Sequence, residues 1–170
     1  MAALPVDTLL YPFRVHAGQG AKLVADLSAE QMTDQPGSPA QGLAVNHPAW
    51  ILSHLNCYLP VAAELLEGGT PRDPKNDQFG MNSVPLTGEA ASVYAPRDEL
   101  VGVWTAEHER VGGLIQNAGV DAFEREMPVE RWREKFPTVG HVLGYLLIHH
   151  EGYHLGQLSA WRRVSGLPAI

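Results

Sequence analysis

Residues 138–168, TVGHVLGYLLIHHEGYHLGQLSAWRRVSGLP, decide how the rest of the chain is read. Leu143, Leu147, His150, His154, Leu158 and Trp161 recur at steps of four, three, four, four and three residues. That spacing is one face of an α-helix turned toward a core. Thr138 suits an N-cap, and Gly166-Leu167-Pro168 suits a stop. Arg162 and Arg163 fall in the last turns, where the helix dipole favours cations. The pattern predicts a helix over 138–166. Two histidines interrupt its apolar stripe at mid-length, one turn apart on the same face.

The same stretch contains HEGYH, residues 150–154, which matches the H-E-x-x-H pattern of zinc proteases. A protease of that type needs a third ligand further on and the glutamate as general base. No His, Asp or Glu follows His154, and the extended H-x-x-G-x-x-H pattern fails because Leu155-Gly156 comes next. The protease reading is set aside. Glu151 is read as a carboxylate that supports the histidines or faces solvent.

Three further helices are predicted upstream. The first runs from about 7 to 27, with Leu9, Leu10, Phe13, Leu23, Val24 and Leu27 as its apolar face; Gly18 and Gly20 weaken it. Residues 27–42, LSAEQMTDQPGSPAQG, read as a turn or loop punctuated by Pro36, Gly37 and Pro39. The second helix starts near Asn46 as N-cap, with Pro48 in its first turn, and stops at Gly68-Gly69. Pro60 inside it predicts a kink or short break. The third opens at Pro96 and continues to Asn117. Residues 70–96 are rich in Pro, Gly, Asn and Ser and have no period. A connection that long lets the next helix run parallel to the last one. Residues 118–137 read as a short helix or an irregular strap. The expected fold is all-α, one domain over 1–170, a four-helix bundle with a long crossover between its second and third helices.

Bulk composition narrows the function classes. Of 170 residues, 45% are hydrophobic and 18% charged, a globular balance. The net charge of −7, without a basic cluster, argues against nucleic-acid binding. No apolar run reaches membrane-spanning length. The N-terminal stretch lacks a charged leader region and is broken by Pro5 and Pro12, so it does not read as a signal peptide. Cys57 is the sole cysteine, which suits a reduced cytoplasm.

Eight histidines are present, and three share a depth. On the second helix the stripe Trp50 or Ile51, His54, Tyr58, Val61, Leu65 carries His54 at a position comparable to His150 and His154 on the last helix. Leaving a buried imidazole nitrogen unpaired costs about 1–3 kcal/mol. A divalent metal removes that cost by taking a lone pair from each ring. Three histidines with an open position are the ligand pattern of catalytic zinc sites. His108 lies on an apolar stripe with Val101, Trp104, Val111 and Ile115 and is a weaker candidate for a fourth ligand. His149 points away from His150. His16, His47 and His141 read as surface or helix-end residues. Hydrogen-bonded core histidines without a metal remain the structural alternative.

The motif H150-x-x-x-H154-x-G156-Q157-L158 followed by RRVSGLP resembles the last helix of the DinB/YfiT-like superfamily. WILSHL, residues 50–55, resembles that family's second-helix motif, a tryptophan followed one turn later by a histidine. The long 70–96 connection matches its crossover bundle. The resemblance implies that His54, His150 and His154 bind a divalent metal, zinc or nickel. It also implies a thiol-dependent transferase or isomerase using a low-molecular-weight thiol, and a homodimer. Leu155 departs from the basic residue many members carry before Gly-Gln, which leaves thiol use open.

Three readings follow. The first is a metal-dependent enzyme acting on a small molecule, a transferase with a thiol or a hydrolase with water. Arg72, Lys75 and Arg97 are its candidate cations for an anionic thiol. The second is a non-catalytic metal-binding bundle, and the third a purely structural bundle. Cys57, three residues after His54, could reach the site's edge; a buried inert thiol is the plainer reading. Trp50, Tyr58, Tyr153 and Trp161 could line a pocket, though aromatics at helical spacing are core first.

Overall fold

The computed structural model describes residues 6–36 and 45–170. Gly37 and Pro39, read as loop punctuation, and Pro5 lie outside the described residues. Among the described residues the chain is helical and no strand forms; the one β-type pairing is an isolated antiparallel bridge between Glu126 and Thr138.

The first long helix, α1 (Val6–Val24), buries Leu9, Leu10, Phe13, Leu23 and Val24. Gly20, which weakened the expectation of a helix, has a packing reason. A Cβ there would lie 2.8 Å from the Trp104 ring, so only glycine lets the indole seat against α1. The stretch after α1 is not all loop. Ser28 accepts from the Gln31 amide while the Gln31 side chain accepts from the Ser28 amide, a capping box that starts the short helix α2 (Ala29–Thr33).

Helix α3 (Pro48–Leu66) has its cap one residue later than expected. His47, not Asn46, is the N-cap, and its Nδ1 accepts from the Trp50 amide at 3.1 Å. Pro60 does not break α3, which is assigned as helix throughout. Its missing N–H falls on an exposed turn. Helix α4 (Arg97–Asn117) follows the crossover. Two short helices, α5 (Val120–Glu124) and α6 (Glu130–Arg133), occupy the mixed segment.

The last rod has three parts. Helix α7 (Val139–Gly144) passes into a π-helical turn (Tyr145–His150) and then into α8 (Glu151–Val164) without leaving helical backbone angles. Gly166, at φ +74°, closes it, and the Leu167 amide donates back to Arg162 O at 2.9 Å. Arg162 does more than complement the dipole. It is buried, and its guanidinium donates to Leu23 O and to Asp26, tying the end of α8 to the end of α1.

Helices α1 and α3 each pack against both α4 and α8. Asn56 bonds Leu100 and Arg110 pairs with Glu67, so α3 and α4 run parallel. Asn46 meets Gln157 and His54 meets His150, so α3 and the rod run antiparallel. This arrangement sets the middle of α3 against the start of α8, and the histidines of both face each other there.

Candidate metal centre

His54, His150 and His154 each offer one nitrogen, and these atoms all lie within 4.8 Å of one another. The π turn ends at His150, so that histidine and His154 leave the rod where α-helical geometry resumes. Trp50 stacks flat on His54 at 4.7 Å between ring centres, and Tyr58 meets both His54 and His150 edge-on.

Hydrogen bonds fix which nitrogen is free on two of the three rings. His54 Nδ1 donates to the Phe79 carbonyl at 2.7 Å; a carbonyl can only accept, so Nε2 is the bare nitrogen. His154 Nδ1 donates to Gln157 Oε1 at 2.9 Å, which likewise leaves Nε2 bare. Asn46 Nδ2 donates to the same oxygen at 3.2 Å and so orients the Gln157 amide. His150 Nε2 lies 3.0 Å from His54 Nε2, while its buried Nδ1 has no partner among the described residues. Burial, then the neighbouring His154 and His54, push the His150 imidazole down to about 3. Burial and His54 push His154 down to about 4. Burial also lowers His54. All three rings are therefore neutral near neutral pH, with lone pairs available. Neutral imidazoles with one nitrogen each gathered within 4.8 Å, two of the rings oriented through Nδ1, could hold a divalent metal ion.

The three rings form the floor of a cavity of about 430 Å³. Its walls include Trp50, Tyr58, Trp132, Phe136, Tyr145 and Tyr153, and its cations are Arg131 and Lys135. The crossover, 67–96, holds the α3 side. Besides Phe79 O on His54, Ser83 Oγ accepts from Trp50 Nε1 and Leu86 O accepts from His47 Nε2. The other side comes from residues 126–138, a loop closed at its base by the Glu126–Thr138 bridge and by the Met127 amide donating to Pro137 O.

A model of the DinB superfamily matches residues 16–158. The chain belongs to the DinB superfamily. No curated protein matches it. Membership agrees with the all-helical fold of this DinB chain and with its histidine triad.

Other candidates lie elsewhere in the DinB bundle. His108 does not join the triad; its Nδ1 donates to Trp104 O at 2.8 Å and its Nε2 lies 3.4 Å from Glu151 Oε2. Glu151 is neither solvent-facing nor on the triad's side. It is buried between His108 and His16, whose Nδ1 lies 3.3 Å from the same oxygen. It does not line the cavity, so it is not placed as the base of a zinc protease. His16 is neither at the surface nor at a helix end but partly buried beside Glu151 within α1, whereas His47 is a helix-end residue as read, wholly buried as the cap of α3. The expected cations are also engaged away from the cavity. Arg72 pairs with Asp77, and Arg97 donates to Ala25 O and Leu27 O. Lys75 does not line the cavity either. Cys57 is half-buried outside it, and burial pushes its thiol up to about 11, away from reactivity. Trp161 is core, as aromatic spacing suggested.

Proposed function

We propose that His54, His150 and His154 hold a divalent metal ion, zinc or nickel, and that the chain is a metal-dependent enzyme acting on a small molecule in the cavity above them. The observation that carries this reading is the gathering of one nitrogen from each of the three imidazoles within 4.8 Å of the others, with His54 and His154 each held through Nδ1. A metal there would supply Lewis acidity and make a water or thiol beside it a stronger nucleophile at neutral pH. The triad would fix that ion. Trp50 and Tyr58, packed against the rings, would keep bulk water from its protein side. With a thiol as nucleophile the reaction is a transfer or isomerisation; with water it is a hydrolysis.

Mass-spectrometric metal analysis of tag-free protein, beside His150→Ala, tests the centre. About one ion per chain, lost in the variant while the helical circular dichroism stays, is the expected result. No ion in either protein after incubation with zinc or nickel would leave three core histidines and no metal enzyme. A loaded protein then goes to a thiol-transfer and hydrolysis screen. Metal without turnover in that screen would favour a non-catalytic metal-binding bundle.

A further inference from the structure

The cavity has a charge opposite to that of the chain around it. The chain carries 19 acidic and 12 basic residues, yet no Asp or Glu lines the cavity. Its two charged lining residues are both cations, Arg131 and Lys135. They differ in what already neutralises them. Arg131 is paired with Asp73. Lys135 makes no ion pair among the described residues. Its ammonium instead rests 4.6 Å from the Tyr145 ring centre and 5.1 Å from that of Phe136. Both rings are cavity walls, so the charge is held at the wall.

The geometry points to a small organic anion with a flat apolar body as the substrate, its carboxylate or similar group met by Lys135 and its body laid among the aromatic walls. The volume suits a compact molecule. An acidic cavity would reject such a ligand and a purely apolar one would leave its charge unmatched. This inference rests on the reading of the cavity as the reaction site, and it reaches past that reading by naming the substrate's charge and shape. It also gives residues 126–138 a role, since they bring Lys135 and the ring of Phe136 to the cavity over a triad built from other elements.

Calorimetric titration of the full-length, zinc-treated protein with 2-naphthoate and with its neutral counterpart 2-naphthamide tests it. The proteins compared are wild type, Lys135→Gln and Lys135→Arg. The expected result is that Lys135→Gln weakens naphthoate about fivefold, the scale of an exposed charge pair. Lys135→Arg should stay within about twofold of wild type, and naphthamide should bind wild type and Lys135→Gln alike. Absence of naphthoate binding to wild type, equal naphthoate binding by wild type and Lys135→Gln, or an equal loss of naphthamide in Lys135→Gln would each overturn the inference. Repeating the titration in a His150→Ala background separates it from the metal reading. A Lys135 effect that persists in that background upholds the anion site even if metal analysis finds no ion. A metal-loaded wild type with no Lys135 effect sinks the anion site alone.

Discussion

Gln157 sits three residues beyond His154 and takes the hydrogen of its Nδ1, while Asn46 donates to the same oxygen. The amide oxygen therefore settles which His154 nitrogen faces the centre. Gln157→Leu should keep the fold and lower zinc affinity about tenfold, the usual size for removing a group that orients a metal-binding histidine. Competition with a chelating dye measures it, and unchanged affinity would show that the amide has no orienting role. His150 and His154 were legible in the sequence because both lie on one local helical period. The Gln157 contact was only half legible. The G-Q-L motif was visible, but its partner Asn46 read as a helix cap, and nothing in a linear pattern pairs residues 111 positions apart. Lys135 was not legible at all, because a lysine in an irregular segment looks like any solvated cation.

At the scale of elements, the crossover positions α3 chemistry instead of merely connecting helices. Phe79 O fixes His54, and the next residue, Gly80, is packed so tightly that a Cβ would collide with Pro74 O. Gly80→Ala should displace that turn and weaken zinc binding while α3 and α8 stay helical; an unchanged chelator titration would show that the turn yields without moving Phe79 O. A second tie joins α1 to α8. The Glu151 carboxylate, chiefly through its hydrogen bond, raises the His16 pKa above its ordinary value. The stabilisation this contact gives is present below the unfolded value and is lost as pH rises through the raised folded value. His16→Gln should thus cost about 1 kcal/mol in urea unfolding near pH 6 and less near pH 9. An equal cost at both would show that packing, not charge, holds the contact. The length and loose composition of both connections were readable from sequence, but their carbonyl contacts were not, since any residue offers a carbonyl.

Across the whole molecule, the triad makes the metal-free protein sensitive to acid. The folded His150 and His154 take protons only near about 3 and 4, whereas unfolded histidines do so near 6.5. Between those limits the unfolded chain binds more protons, so stability falls as pH falls. The urea midpoint of metal-free protein should drop from pH 7 to pH 5, and less steeply in His150→Gln; parallel curves would remove the triad as the cause. The helical class and the depth match between α3 and the rod were readable from sequence, because apolar period and helix rise are properties of the chain alone. The π turn was not, since its residues fit an α-helical stripe equally well. That turn gives the rod a place where its length can change by one residue. In its wider pairing the Glu151 amide reaches back to Leu146 O, and one residue fewer would let the rod close into uniform α-helix. The parts before and after the turn would keep their facing, because the wide turn holds one residue more in the same sweep of the helix. Val139, Val142 and Leu143 would hold their places in the core while His154 kept facing His54. A single-residue deletion in the α-helical parts of the rod throws its two halves out of phase, whereas one inside this turn only removes the residue the turn had absorbed.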